Sequence, residues 1–225
     1  MEEEALEFCG DNAVVQEILE ESDVLEENER HSYVSKSTPY WCVASLTDNL
    51  FLSSATAVTL ENLESFGITC VINTAAELPQ APFSDPPISY FRIPFTDNGA
   101  SDIFSCLDST SYLIHKNISM GRRVLVHCVA GVSRSATFCI AYLMKYHRMT
   151  LLEAYNHVKL KRPMIRPNCG FFRQLIEYEK LLYESTTVTM VYNETVKMEI
   201  PDVYDCDYRN IVSFRRKRRD LVRRH

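Results

Sequence analysis

The sequence predicts an α/β fold with a short, mainly parallel central sheet flanked by helices. Three short segments have the patterns of strands: residues 68–74 are rich in β-branched side chains, residues 124–126 are fully apolar, and residues 90–95 are a further strand. Longer segments with helical patterns alternate with them, notably residues 101–120 and 135–147. Short buried strands that alternate with helices are typical of layered α/β proteins. We therefore expect one sheet with helices packed against its faces.

The remaining segments extend this alternation at both ends. Residues 43–53 contain short apolar runs around Thr47-Asp48-Asn49, which predicts two strands and a turn. Thr150 and Glu153 have the spacing of a capping box at the start of a helix that Pro163 ends. The other predicted elements are helices over residues 56–66 and 170–184 and a proline-rich loop over residues 79–87.

Charge is concentrated at the two ends of the chain. The 225 residues carry a net charge of -6, but residues 1–30 alone carry -11 and residues 214–225 carry +6. Such charged ends are typical of solvated tails. We expect an acidic, mobile tail over residues 1–39, a globular region over residues 40–204 and a basic tail over residues 205–225.

Composition excludes several classes of protein. No apolar run approaches the ~20 residues of a membrane span, and no basic segment followed by an apolar one marks a secretory signal. We therefore expect a protein of the cytosol or nucleus, with no membrane partner. The eight cysteines include no Cys-x-x-Cys pair, so neither a zinc site nor any other metal site is expected. The basic run at residues 215–219 has no interleaved aromatic residues, so no nucleic-acid partner is expected.

One segment has the pattern of a phosphate-binding loop. Residues 127–135, His-Cys-Val-Ala-Gly-Val-Ser-Arg-Ser, lie between the apolar strand and the next predicted helix. A tight loop at the positive end of a helix dipole presents its amides to an anion. Gly131 allows the backbone to turn those amides inward. The predicted phosphate-binding residues are Val129, Ala130, Gly131, Val132, Ser133 and Arg134.

Cys128 and Arg134 stand at the two ends of this loop and suit phosphoryl transfer. A cysteine close to these amides and to a guanidinium should be a thiolate at neutral pH, and therefore a nucleophile. Five residues separate the pair, so one turn of the loop brings Arg134 over a bound phosphoryl group, where it can hold two oxygens. The alternative is a chance cysteine at the end of a buried strand. It leaves the flanking His, Gly and Ser unexplained.

The pattern His-Cys-x-x-Gly-x-x-Arg-Ser resembles the signature of the protein tyrosine phosphatase superfamily. Residues 130–136, Ala-Gly-Val-Ser-Arg-Ser-Ala, are similar to its dual-specificity branch. Residues 151–155 and 201–204 look like the small atypical members that resemble MAP-kinase phosphatase 6. The resemblance covers residues 40–204 and implies a phosphatase-like α/β fold without a cofactor. It implies hydrolysis of phosphotyrosine and phosphoserine or phosphothreonine esters through a cysteinyl-phosphate intermediate.

The resemblance also implies a general acid about thirty residues before the cysteine. Asp97 lies 31 residues before Cys128, where a predicted strand gives way to a loop. By resemblance it protonates the leaving group and then activates the attacking water. Asp102 is the alternative acid, although its position also suits a charge at the start of a helix.

Three further residues have supporting roles by resemblance, each with a plainer alternative. Ser135 would hydrogen-bond the thiolate and help it leave in the second step, or merely cap a helix. His127 would orient the loop through its ring nitrogens, or be an ordinary core histidine. Asn168 would brace the phosphate loop, or cap the helix that follows Pro167.

Related activities share the same loop pattern. Lipid phosphatases usually carry lysine in the loop, and RNA triphosphatases favour Arg-Thr-Gly at its end, whereas this chain has Arg-Ser-Ala. A phosphoprotein-binding pseudophosphatase usually lacks the cysteine or the acid. The expected partners are phosphoprotein substrates, with components of MAP-kinase pathways as candidates. The sequence leaves the particular substrate and the oligomeric state open.

Overall fold

A five-stranded, mainly parallel sheet lies at the centre of the region that the structure describes. The computed structural model describes residues 42–79, 88–205 and 208. Strand order is β1-β2-β5-β3-β4, with β1 antiparallel to β2 and every other pair parallel. The strands are β1 (Ala44–Ser45), β2 (Leu50–Ser54), β3 (Cys70–Ala75), β4 (Ser89–Phe95) and β5 (Val124–Cys128). The predicted sheet is confirmed.

Helices cover the two faces of the sheet unequally. The five helices of the described residues are α1 (Leu60–Ser65), α2 (Phe104–Ser119), α3 (Arg134–His147), α4 (Leu151–Lys161) and α5 (Cys169–Tyr183). In β5, Val124 and Val126 point into the main core with α2 to α5, whereas Leu125 packs against Leu63 of α1 on the other face. The alternation of side chains along a strand therefore fills two apolar layers.

Two helices begin later than predicted, because polar side chains near their starts make other bonds. Thr59 is extended and its Oγ1 accepts from the amide of Asn62, so α1 follows a separate turn of 3-10 helix. Ser101 bonds Thr96 through its side chain instead of capping α2. Gln174 of α5 takes its place, since its Oε1 accepts from two amides at the start of α2.

A C-terminal hairpin, absent from the predicted elements, follows α5. It consists of β6 (Met190–Asn193) and β7 (Met198–Pro201), and a single turn of 3-10 helix, Asp202–Tyr204, follows it. Asn193 shapes the turn, because its Oδ1 accepts from the amides of Thr195 and Val196. Tyr204 is buried in the main core.

Other predicted segments lie outside the described residues. These are the acidic tail over residues 1–39, residues 80–87 of the proline-rich loop and most of the basic tail over residues 205–225. Tyr208, which is described, belongs to the main core although it lies beyond the predicted end of the globular region. Among the helices of the described ranges, none combines the length and the apolar composition needed to cross a membrane.

The loop after β4 touches the start of α5 through two glycines. A Cβ atom on Gly170 would lie 2.5 Å from the Cα of Gly99 and would overlap its carbonyl oxygen. A Cβ atom on Gly99 would meet its nearest neighbour, the amide nitrogen of Gly170, at 3.5 Å, an ordinary contact. The close approach therefore requires glycine on one side only, at Gly170.

We expect Gly170→Ala to lower the free energy of unfolding by ~2 kcal/mol or more, because the added methyl group must push two backbones apart. Gly99→Ala, on the other side of the same contact, should change it by less than ~1 kcal/mol. Denaturant unfolding of both variants measures the difference. Equal losses of unfolding free energy in the two variants would show that the Gly99–Gly170 contact has room for a methyl group on Gly170.

Candidate active site

The cysteine loop lies at the carboxyl edge of the sheet, between β5 and α3. The parallel strands β2 and β5 end side by side there, with Ser54 opposite Cys128. Gly131 has a φ of 69°, and a Cβ atom on it would lie 2.5 Å from the carbonyl carbon of Ser53. Glycine alone meets both the backbone conformation and the close approach. This edge is where open α/β sheets bind their ligands.

All the carbonyl groups of residues 129–133 accept hydrogen bonds from donors outside the loop. The bonds are Ala55 N to Val129 O at 2.9 Å, Arg162 Nη2 to Ala130 O at 3.0 Å, Arg162 Nε to Gly131 O at 2.8 Å, Arg166 N to Val132 O at 2.9 Å and Thr137 N to Ser133 O at 2.9 Å. Within the described chain, the amides of Ala130, Val132 and Ser133 donate to no protein acceptor. The loop thus offers donors to an anion, because its acceptors are already occupied.

Arg162 is the main external support of this loop. Its side chain is fully buried, and besides the two loop carbonyls it donates to the carbonyl of Cys42 at 2.9 Å. A buried guanidinium needs such partners, and its planar fork suits carbonyls from neighbouring residues. Arg162 was assigned no role in the sequence analysis. The signal available there was an arginine just before the proline that ends a helix.

The Cys128 sulfur accepts two hydrogen bonds. The amide of Gly131 and the hydroxyl of Ser135 each lie 3.2 Å from it, and the cysteine is 1% exposed. It also stands close to the first turn of α3, where the helix dipole is positive. For Cys139, a buried cysteine of α3, burial raises the pKa of the thiol and keeps it protonated. Cys128 therefore has the donors that an anionic sulfur needs.

Arg134 is held by a carboxylate that the sequence analysis did not identify. Its Nη1 and Nη2 each lie 2.6 Å from an oxygen of Glu77, and Nη1 also donates to the carbonyl of Phe95. Burial opposes the guanidinium charge, but the bonds to Glu77 and the charges of Cys128 and Asp97 outweigh it and raise the pKa of Arg134. The same bonds lower the pKa of Glu77.

These bonds use three of the five N–H donors of Arg134, which leaves the one on Nε and one on Nη2. Nε of Arg134 is buried, has no hydrogen-bond partner in the described residues and lies 3.7 Å from the nearest oxygen of Asp97. A buried donor of this kind can serve an oxyanion bound in the cysteine loop. Glu77 lies two residues after β3, at the carboxyl edge of the sheet, and that position was the signal that could have identified it.

Asp97 lies against the cysteine loop, and Asn168 and Ser133 hold it there. Its Oδ1 accepts from Ser133 Oγ at 2.7 Å and from Asn168 Nδ2 at 2.8 Å. Asn168 also caps α5, accepting from the amide of Phe171, and its own amide donates to Ser133 Oγ. Both alternatives for Asn168 therefore describe real contacts. Ser133 was expected to bind phosphate through its backbone, and its side-chain contact was not foreseen.

Asp102 and His127 make contacts of other kinds. Asp102 accepts from the amide of Ser105 at the start of α2, which is the helix-terminal position that the sequence also suggested. The His127 ring is buried, and its Nδ1 lies 3.2 Å from the carbonyl of Cys128. Burial lowers the pKa of His127 and favours the neutral ring. The structure thus brings Asp97, Cys128 and Arg134 together.

The region that contains the cysteine loop resembles known proteins. Residues 50–181 match the model of the dual specificity phosphatase catalytic domain. Human dual specificity protein phosphatase 14 is 43% identical over 173 residues, or 76% of this chain and 85% of that protein. Human dual specificity protein phosphatase 21 is 43% identical over 169 residues, or 75% and 87%.

A solved structure agrees with these matches. A mouse putative dual specificity phosphatase complexed with zinc tungstate superposes with a TM-score of 0.60, at 34% identity, and covers 68% of this chain and 96% of that one. The family predicted from the loop motif is therefore confirmed. Since the matched region contains the loop and the aspartate docked on it, we conclude that this chain belongs to the dual specificity phosphatase family and is a protein phosphatase.

Proposed function

We propose that this protein hydrolyses phosphotyrosine and phosphoserine or phosphothreonine esters of phosphoproteins in the cytosol or nucleus, through a cysteinyl-phosphate intermediate. The observation that carries the proposal is the loop of residues 129–133, whose carbonyls are all bonded outward around the Cys128 sulfur. The tungstate complex of the mouse relative supports it, because tungstate is a tetrahedral oxyanion like phosphate. Components of MAP-kinase pathways are our candidate substrates.

In the first step, the Cys128 thiolate attacks the phosphorus atom and a sulfur–phosphorus bond forms. The bond between phosphorus and the ester oxygen breaks, and that oxygen takes a proton from the carboxyl group of Asp97. The loop amides and Nε of Arg134 bind the non-bridging oxygens as charge spreads over them. Glu77 keeps the guanidinium in place by occupying its two terminal nitrogens.

In the second step, water attacks the phosphorus and Asp97, now a carboxylate, accepts a proton from it. The sulfur–phosphorus bond breaks and the electron pair returns to Cys128. The Ser135 hydroxyl, 3.2 Å from the sulfur, stabilises the departing thiolate. Inorganic phosphate leaves and the enzyme returns to its starting protonation state.

The surroundings of the cysteine loop suit both short and long phosphate esters. Val129, the residue after the nucleophile, is 41% exposed, so the loop lies close to the protein surface. Ala130 and Val132 add little bulk around it. A shallow floor can be reached by the short phosphothreonine ester as well as by phosphotyrosine. Selectivity among substrates would then depend on contacts outside the cleft.

The nucleophile is tested with a doubly phosphorylated Thr-x-Tyr peptide in which each site is followed separately. The wild-type enzyme should release phosphate from both residues. Cys128→Ser should lower both rates by at least about a hundredfold and still bind the peptide, because its hydroxyl is a poor nucleophile at neutral pH. Cys106→Ser, on the partly exposed surface of α2, is the control and should retain activity. Retained turnover in Cys128→Ser would exclude covalent catalysis through that sulfur.

The acid is tested by the pH dependence of kcat/KM. A thiolate nucleophile and a protonated acid together give a bell-shaped profile, in which the acid causes the fall on the alkaline side. Asp97→Asn should remove that alkaline fall and lower kcat by about a hundredfold for a poor leaving group. Asp102→Asn should keep both sides of the profile. The opposite pattern in the two variants would transfer the role to Asp102.

The loop support is tested with Arg162→Lys. An ammonium group cannot hold the carbonyls of Ala130 and Gly131 as the guanidinium fork does, so the loop should lose its fixed shape. We expect the affinity for tungstate, measured as competitive inhibition, to fall about tenfold or more. Lys161→Met changes an exposed neighbour and should leave inhibition unaltered. Unchanged affinity in Arg162→Lys would show that the loop keeps its shape without this support.

A further inference from the structure

We propose that Tyr204, beyond the matched catalytic region, is a positioning residue for the general acid and acts through Pro167 and Asn168. This inference rests on the proposed role of Asp97. The matched catalytic region ends at residue 181, whereas Tyr204 lies after the C-terminal hairpin. The geometry therefore assigns the C-terminal segment a part in catalysis as well as in packing.

The hydroxyl of Tyr204 bonds the loop that carries Asn168. It donates to the carbonyl of Pro167 at 2.7 Å, and the tyrosine is 1% exposed. The ring is fixed by edge contacts with Phe172 of α5 and a tilted contact with Tyr155 of α4, at centroid distances of 5.3 and 6.0 Å. A buried hydroxyl held at this distance determines where the Pro167 carbonyl lies.

Pro167 and Asn168 share a peptide unit, so the carbonyl that Tyr204 holds is bonded to the amide nitrogen of Asn168. That amide donates to Ser133 Oγ at 3.1 Å, and the Asn168 side chain donates to Asp97. A shift of this peptide unit therefore moves both donors that hold Oδ1 of Asp97. Proton transfer is sensitive to such shifts, because a misplacement of ~1 Å can cost about a hundredfold in rate.

A second contact links the same segment to the cysteine loop. The guanidinium of Arg166 lies 4.2 Å from the ring centre of Tyr204 and 4.8 Å from that of Tyr208. The amide of Arg166 donates to the carbonyl of Val132 at 2.9 Å. Two aromatic rings of the C-terminal segment therefore hold the loop of residues 162–168 from outside, while its inner side touches the cysteine loop and Asp97.

The segment is itself anchored to the rest of the fold. Thr189 and Asp202 join the two ends of the hairpin through a hydrogen bond of 3.0 Å between their side chains. Arg173 of α5 forms an ion pair with Glu199 of β7. Tyr204 therefore has a fixed base from which its hydroxyl can hold the Pro167 carbonyl.

The test compares two substrates that depend differently on the acid. Phenyl phosphate needs a protonated leaving group, whereas an aryl phosphate with a strongly acidic phenol does not. Tyr204→Phe removes only the hydroxyl. It should lower kcat/KM, which reports only the steps up to departure of the leaving group, about fivefold for phenyl phosphate and less than about twofold for the other ester. Tyr192→Phe, an exposed tyrosine of β6, is the matched control and should change neither rate.

A double variant separates positioning from general damage to the fold. In the Asp97→Asn background, Tyr204→Phe should cause no further loss with phenyl phosphate, because the group that it positions is gone. An equal loss of kcat/KM with both substrates, an additive loss in the double variant or no loss at all would overturn the inference. If Asp97→Asn itself lowers kcat/KM equally for both substrates, the acid assignment fails, and the inference fails with it.

Discussion

The outward bonding of the loop carbonyls is the constraint on which the rest of the site depends. A loop of five residues around an anion must turn its amides to one side, and that exposes its carbonyls on the other. Here the carbonyls find donors on several different elements, namely the turn after β2, the end of α4, the loop before α5 and the first turn of α3. The α/β layers bring these donors around one edge of the sheet, and Gly131 provides the backbone conformation that the loop needs.

Asp97, the proposed general acid, is connected to the same framework. Asp97 follows β4, at the edge of the sheet, and is joined to the cysteine loop by Ser133 and to α5 by Asn168. The close approach of Gly99 and Gly170 brings the two segments near enough for these bonds. The proposed nucleophile, phosphate-binding arginine and general acid are thus supported by one connected set of hydrogen bonds, so a change in α4, α5 or the C-terminal hairpin can alter the proposed chemistry without touching substrate.

Much of this could be predicted from sequence, because local patterns carry it. The buried strand that ends at Cys128 and the spacing to Arg134 identified the loop, and the capping box at Thr150 is present in the structure. The supports of the loop were not predicted. Glu77 lies 57 residues from Arg134 in sequence, and Arg162 lies 31 residues from Gly131, so their pairing depends on strand order that one sequence does not reveal. The displaced start of α2 has a similar cause, since Gln174 of α5 accepts from the amides at the start of that helix.

A crystal structure of the wild-type protein with bound tungstate tests the central claim most directly. We expect the oxyanion to lie against the amides of residues 129–133, with Arg134 Nε as a further donor, and the loop backbone to be the same as without ligand. The bonds from Arg162 to Ala130 and Gly131 should persist in the complex. A loop that rearranges its carbonyls to bind the anion, or an anion bound elsewhere, would contradict the account.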